Sequence, residues 1–466
     1  MKRASIVVAL VAIASACRVG PDHHVPEVQI ATAWTEAAGA ALDEPARAWW
    51  SAFGDSGLDA LVDRATANNL DVQIATTRIR EARAVRAAVA GRWDPALGAG
   101  AGFTRSSPSE TTAFRQSAGV ANLFDAGFDA AWEIDLFGRR EHAIEAAEAS
   151  VGVALENRRD AVLTMTAEVA RNYVELRGLQ RQLALTQSNL ALQRDTSELT
   201  RKRFEAGFAT DFDLARAESQ VATTSAQIPR FEARARAVVH SLSVLLGEAP
   251  GGLALVLETI APIPEAPSTL NAGLPSQLLR RRPDVRAAER ELARATAQTG
   301  EAIAAQYPSF SLNAALGQQS RSFADLFDAQ SNAWSAGGSL AAPILNGGAL
   351  RAQVDASEAR AEAAALAYRR AVLSALAEVE TALAAVSRER TRNESLTTAV
   401  AADQRALLRV NDLYTQGIVS FFEVLEAQRS LLTSESSLAE SATDLASQTV
   451  ALYKALGGGF AIDGDS

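Results

Sequence analysis

The stretch LYTQGIVSFFEVLEAQRS, residues 413 to 430, has a weaker copy about 210 positions earlier, RFEAGFATDFDLARAESQ at 203 to 220. Internal repetition of this kind fixes an architecture before any single element does. The echo runs outward from both copies. FGRREHAIEAAEAS (137 to 150) is answered by NGGALRAQVDASEA (346 to 359). The run from LDVQIATTRIREAR to WDP (70 to 95) faces PDVRAAERELARA to YPS (283 to 309). The order of features predicts a duplicated unit, with a first copy at 49 to 247, a Pro-rich linker at 248 to 275, a second copy at 276 to 457 and a tail at 458 to 466.

Within the first copy Leu155, Val162, Val169, Leu176, Leu183 and Leu190 fall seven apart on a proline-free stretch. In the second, Val372, Val379, Val386, Val400, Leu407 and Tyr414 keep the same beat, broken once by Asn393. Sustained heptads predict helices whose apolar seam follows a left-handed supercoil. At 1.5 Å per residue a helix of nearly 70 residues is on the order of 100 Å long. Beyond the repeated turns the beat resumes at Leu214, Val221, Ile228, Ala235 and Leu242, and at Val424, Leu431, Leu438, Leu445 and Leu452. Each copy is therefore expected to form a helical hairpin with its tip at Gly207 or Gly417, since glycine suits the left-handed residue that ends a helix. Pro229, with Ala439 as its counterpart, should kink only the first return helix.

Four shorter stretches, 97 to 106, 119 to 137, 309 to 320 and 332 to 345, change to a period of two. Phe128, Ala130, Trp132, Ile134 and Leu136 alternate with Asp129, Ala131, Glu133 and Asp135, which predicts a strand with one apolar and one acidic face. Strands of about ten residues suit a tilted membrane crossing. A small soluble antiparallel sheet is the alternative that strand pattern alone leaves open.

The N-terminus reads MKRASIVVALVAIASAC, with Lys2 and Arg3, an apolar run from Ile6 to Ile13, then small residues leading to the only cysteine, Cys17. The run is too short to span a bilayer, and its flanks are those of an export signal covering 1 to 16. Cys17 directly after ASA resembles the lipobox of bacterial lipoproteins, with Ala14 where a leucine is usual. Acylated Cys17 would then open a lipid-anchored extension at 17 to 48, and Val19 resembles the sorting residue of lipoproteins sent to the outer membrane. No later run is long and apolar enough for a membrane helix, so any span must be made by strands. An open strand edge in hydrocarbon costs several kcal/mol per unpaired group, so the sheet must close. Four strands cannot enclose a lumen, and single-chain barrels start at about eight. Two chains would supply eight strands and three would supply twelve; only the larger number leaves a useful pore, which favours a trimer.

The chain resembles the TolC-like outer-membrane efflux proteins, and more closely the NodT-type lipoprotein branch that serves resistance-nodulation-division pumps. The resemblance is carried by CRVGPDHHVP (17 to 26), WWSAFGDSGLDALVDRA (49 to 65), WEIDLFGRR (132 to 140), GLPSQLLRRRPDV (273 to 285) and YTQGIVSFFEVLEAQRSLL (414 to 432). His23 and His24 stand where that family usually has an aromatic residue. The resemblance implies an α+β membrane protein. Long antiparallel coiled-coil helices would form a periplasmic α-barrel, and four strands per chain would join a shared twelve-stranded outer-membrane β-barrel in a trimer. The implied function is a passive exit duct, its partners being a periplasmic adaptor and an inner-membrane resistance-nodulation-division pump.

Glu423 and Glu426 lie three apart and share a helical face. The resemblance places them in a constriction ring at the periplasmic mouth, where convergent carboxylates repel one another and attract cations. The first copy has Asp213 and Arg216 there, so its ring would not be uniformly acidic. Tyr414, Gln428 and Arg429 are expected to neighbour this gate. Asp129, Glu133 and Asp135 are expected to line the barrel lumen. The RRRP run at 280 to 283 reads as a solvated linker and helix start.

A net charge of -10, with 55 acidic against 45 basic residues, argues against nucleic acid as a partner. The sequence contains no GxxxxGK, HExxH or GxSxG motif, so no catalytic site, metal site or cofactor is expected beyond the lipid on Cys17. Two rival readings remain at this stage. One is a non-transporting periplasmic coiled-coil lipoprotein. The other is the adaptor itself, which needs a single hairpin and is opposed by the duplication.

Overall fold

The seven-residue beat is realised as two helices of equal length. The computed structural model describes residues 18–36, 48–107, 120–253, 259–269 and 272–458. Cys17 and the export signal lie outside the described residues. Along the chain run α1 (Ser56–Asn68), α2 (Leu70–Gly91), β1 (Ala96–Ser106), β2 (Ala121–Ile134), α3 (Arg139–Glu205), α4 (Asp211–Ser225) and α5 (Ile228–Leu245). The same order then recurs as α6 (Pro275–Arg281), α7 (Pro283–Ala304), β3 (Ser309–Ser320), β4 (Asn332–Ala341), α8 (Ala349–Thr415) and α9 (Phe421–Ala455). The long helices α3 and α8 are 67 residues each.

The chain divides into two compact units. The first gathers the segment ending at Glu27 with Arg78–Leu155 and Ala287–Tyr368. It contains one antiparallel sheet in the order β1-β2-β3-β4, whose outer strands β1 and β4 each have one unpaired edge. Gly98 pairs with Asp129 and Gly102 with Asp125, which sets the β1–β2 register. Ala315 pairs with both Asp129 and Ser335, carrying that row across the sheet.

The second unit comprises Val28–Thr77, Glu156–Arg286 and the chain from Arg369 onward. Its main core joins Trp49, Leu58, Val62, Val169, Tyr173, Leu176, Leu242 and Val450, all buried. Each large apolar side chain removed from water here contributes roughly 1.5–3 kcal/mol. Trp49 stacks on Tyr453 with ring centroids 5.3 Å apart. The carboxylate of Asp55 caps α1 by accepting from the N–H groups of Gly57 and Leu58 at 2.8 and 3.1 Å. It also accepts from the Tyr173 hydroxyl at 2.9 Å. Arg177 in turn donates to that hydroxyl at 3.2 Å and to the carbonyl oxygen of Thr259 at 2.7 Å, so one buried polar chain ties three segments together.

The heptad seams are buried at Val169, Leu176, Leu190, Val372, Val379, Val386 and Val400 and half-buried at Leu155, Val162, Leu183 and Leu407. Asn393, the break in the second seam, donates to Ser441 at 3.3 Å, and buried Ser441 donates to Glu389 at 2.6 Å. A polar layer inside an apolar seam fixes the register of two helices, because any slip leaves its groups unpaired. Pro229 has a larger effect than a kink. The first return helix stops at Ser225 and restarts at Ile228, with the proline in the first turn of α5, whereas α9 runs unbroken for 35 residues. Proline has no N–H to give the carbonyl of Ser225, but the first turn of a helix needs none.

Of the RRRP run only Arg280 is solvated. Arg281 and Arg282 are 4% and 8% exposed. The Arg282 guanidinium reaches Asp284 at 2.7 Å, Glu378 at 2.6 Å and the carbonyl oxygen of Ala455 at 3.0 Å. A buried cation needs such paired partners, and these come from α7, α8 and the end of α9, elements far apart in sequence.

Candidate functional site

Two places concentrate polar groups that no core explains, one on the sheet and one at the hairpin tips. The sheet segregates its side chains over most of its length, the exceptions gathering at one end, where Leu123 falls on the polar face and Arg105, Asn122, Gln318 and Asn332 on the apolar one. One face carries Leu97, Phe103, Phe128, Trp132, Leu312, Leu316, Trp334 and Leu340, and all of them are exposed, Trp334 to 78%. So broad an exposed apolar face, borne by strands of 10 to 14 residues, suits hydrocarbon rather than water. The opposite face carries Asp125, Asp129 and Glu133 on β2, Ser311 and Asn313 on β3 and Ser335 and Ser339 on β4. Ser311 and Ser339 hydrogen-bond across the strands at 2.8 Å. Asp125 continues the acidic row two positions beyond Gly127; an alternation counted from Phe128 onward misses it.

Asp135 does not belong to that row. β2 ends at Ile134, and the Asp135 carboxylate accepts from the backbone N–H groups of Gly138, Arg139, Arg140 and Glu141 at 2.9, 2.9, 2.8 and 3.3 Å. It satisfies the donors that the first turn of α3 leaves unpaired, and its charge suits the positive end of that helix. The strand expected over 119 to 137 ends three residues sooner, because a capping acid follows the last strand acid in phase.

At the tips, each long helix ends in the same motif. Phe208 N–H donates to Arg203 O at 2.7 Å and Gly207 N–H to Phe204 O at 2.9 Å; Ile418 donates to Leu413 at 2.9 Å and Gly417 to Tyr414 at 3.0 Å. These are Schellman caps, which require a left-handed residue. Gly207 and Gly417 supply it with φ of +79° and +76°. The return helices start with the same pattern, a hydroxyl residue and an acid three further on, although only α4 has a full capping box. Thr210 and Asp213 form a capping box at α4, with the Asp213 N–H donating to Thr210 Oγ1 at 3.2 Å and Thr210 N–H to Asp213 Oδ2 at 3.1 Å. At α9 the Ser420 hydroxyl donates to the carboxylate of Glu423. That hydrogen bond holds the Glu423 carboxyl below the usual range, aided by backbone N–H groups.

Glu423 and Glu426 are both exposed and lie on one face of α9. Glu426 makes only a loose ion pair with Arg429, 3.7 Å between them and both more than half exposed. Such a pair contributes little to stability. Tyr414 does not face outward with them. It is 6% exposed and packs with Ala217, Phe421, Val424 and Leu425, its ring under the Arg203 guanidinium at 4.5 Å. Gln428 is likewise buried and donates to Thr196 Oγ1 at 3.1 Å. Both residues join the two hairpins within the chain. Arg216, the counterpart of Glu426, stacks between Phe212 and Phe422 at 5.1 and 5.4 Å from their ring centres.

Among the described residues no helix is long and apolar enough to cross a membrane, and no group of His, Cys, Asp and Glu is arranged to hold a metal ion.

The chain is similar over nearly its whole length to proteins of known kind. The profile of the family described as outer membrane efflux protein matches residues 61–248 and 274–458. Nodulation protein T of Rhizobium leguminosarum bv. trifolii is 34% identical over 447 residues, covering 96% of this chain and 95% of that protein. The pyoverdine export outer membrane protein OpmQ of Pseudomonas aeruginosa is 33% identical over 433 residues, covering 92% and 90%. The solved structure of the outer-membrane channel OprN superposes with a TM-score of 0.90 at 32% identity, covering 95% of this chain and 99% of that one. A four-stranded sheet with a bare apolar face, two capped helical hairpins and these matches lead to one conclusion: the chain belongs to the outer membrane efflux protein family and is an efflux channel of the outer membrane.

Proposed function

We propose that three copies of this chain form a passive duct that carries small molecules through the outer membrane. The observation that carries the reading is the sheet. Its apolar face is exposed, and the outer edges of β1 and β4 are unpaired. In hydrocarbon those edges must find partners. The β1 edge of one copy meeting the β4 edge of the next closes twelve strands in a trimer, with Asp125, Asp129 and Glu133 turned to the lumen.

The closure of the duct lies at the hairpin tips, where Glu423 and Glu426 of each copy converge and Arg429 partners Glu426. Dilation of the tip follows from a shift of the α8–α9 hairpin against neighbouring copies. The polar layer at Asn393 keeps that hairpin in register while it moves as one piece. Energy comes from an inner-membrane pump of the resistance-nodulation-division type through a periplasmic adaptor docked on the tips, and Cys17 carries a lipid anchor. The relatives support this setting: OpmQ is named for pyoverdine export and OprN is described as an outer-membrane channel. Cargo selection then belongs to the pump, because a duct holds its cargo loosely.

Conductance in planar bilayers tests the duct. The purified protein should insert and conduct in small steps, and the variant with both Glu423→Gln and Glu426→Gln should conduct more and select less for cations. A protein that inserts yet never conducts, even with both changes, is instead a structural lipoprotein.

A further inference from the structure

One cluster in the sheet-containing unit serves neither the sheet nor the tips. His142, in the first turn of α3, is completely buried. Its Nε2 lies 2.8 Å from the carbonyl oxygen of Val19, so that nitrogen carries a proton and donates. On the other side of the ring, Nδ1 is 3.3 Å from Arg18 Nη2 and 3.3 Å from Glu145 Oε2. Arg18 and Glu145 pair directly at 2.6 Å, and Glu141 stands 4.0 Å from the same guanidinium. Val19 N–H donates to the carbonyl oxygen of Phe137 at 3.2 Å.

The imidazole fits between two glycines. A Cβ on Gly300 would fall 2.5 Å from ring atom Cε1, and a Cβ on Gly20 would fall 2.9 Å from Nε2. Gly20 also takes a φ of +119°, which side chains rarely adopt. Residues 18 to 20 belong to no helix or strand, so the sheet and the helices do not themselves require this segment to be fixed. The place where it is gripped is specific. Phe137 lies three residues past the end of β2, and its ring stacks on Tyr307, just before β3, at 4.9 Å.

We infer that His142 is a positioning residue for the membrane anchor, fixing the segment after Cys17 at the junction of β2 and α3. A diacylglycerol carried by Cys17 then enters the bilayer beside the chain's own sheet. The inference rests on the reading of Cys17 as the lipid carrier proposed above.

Trypsin reports the clasp directly, because it cuts after Arg18 only when that segment opens. The mature full-length protein, purified from membranes in detergent, should resist this cut. His142→Ala should be cut roughly tenfold faster, the effect of losing about 1.4 kcal/mol of local hydrogen bonding. His142→Gln, whose amide can still donate to Val19, should recover part of the protection. Gly300→Ala keeps every polar group but crowds the ring, and should expose Arg18 as His142→Ala does if that variant folds poorly. Cuts at other arginines should stay unchanged. Equal cleavage at Arg18 in the parent, His142→Ala and Gly300→Ala would overturn the clasp. Intact mass of the parent separates the two readings. A mature N-terminus without acyl chains removes the anchor, whereas protection of Arg18 still shows that His142 holds the segment.

Discussion

Ser420 and Glu423 stand to each other at the start of α9 as Thr210 and Asp213 do at the start of α4, a hydroxyl at the cap and an acid three residues on that accepts from it. The acid shared by the two tips is therefore tied to the start of its own helix, and the residue that distinguishes them is Glu426 against Arg216. The two carboxylates of the proposed gate should separate by experiment. Glu423→Ala should lower the melting temperature, and Glu426→Gln should leave it unchanged while raising conductance. Because the Glu423 carboxyl is held below its ordinary range, its stabilisation is present above the unfolded pKa and is lost as pH falls through the lower folded value. Thermal melts from pH 6 to pH 3 should therefore converge for parent and Glu423→Ala at the acid end.

Asp135 accepts from four backbone N–H groups at the head of α3. Asp135→Ala should destabilise the protein by about 1–2 kcal/mol, the cost of a lost N-cap. Asp135→Asn should cost less, since it keeps an acceptor but loses the charge. Helical circular dichroism during denaturation reads both. Single-channel conductance should be unaffected, whereas Asp129→Asn and Glu133→Asn should reduce cation selectivity with little change in stability.

Arg282 sits between Asp284 and Glu378 with 9% of its side chain exposed. Arg282→Ala removes charge-assisted hydrogen bonds to two partly exposed carboxylates and to the Ala455 carbonyl, and should cost roughly 1.5–3 kcal/mol in denaturant unfolding. Arg282→Lys should recover little, because one ammonium cannot reach Asp284, Glu378 and the Ala455 carbonyl together.

Asp160 lies near the same network, and burial, reinforced by the charge of Asp284, holds its carboxyl above the ordinary range. A raised acid makes the native state bind its proton more tightly than the unfolded chain does. Stability therefore falls as pH rises from the unfolded pKa to the folded one. Asp160→Asn should remove that part of the slope and leave the protein more stable than the parent at neutral pH. Equilibrium unfolding at pH 4, 5, 6 and 7 shows it.

The periodicities of the sequence determined a great deal. A seven-residue beat of valine and leucine can be satisfied only by a long helix with one buried seam, and it located α3 and α8 and the glycine tips at 207 and 417. The two-residue alternation located four strands and their two faces. These are local properties, because each follows from the spacing of neighbours along one element. What a side chain meets across elements is not local. Asp135 kept the phase of the strand but caps a helix. Tyr414 fell on the stretch at the second tip but turned into the chain's own core beneath Arg203. The arginines of RRRP read as solvated, yet Arg282 is buried, because its partners Glu378 and the Ala455 carbonyl come from 96 and 173 residues away. His142 carried no signal at all in the sequence; only the meeting of residues 18 to 20 with Gly300 around one imidazole made it legible. Spacing dictates which face of an element is apolar, but the pairing of buried charges and hydrogen bonds depends on elements distant in sequence, and the tertiary structure alone decides it.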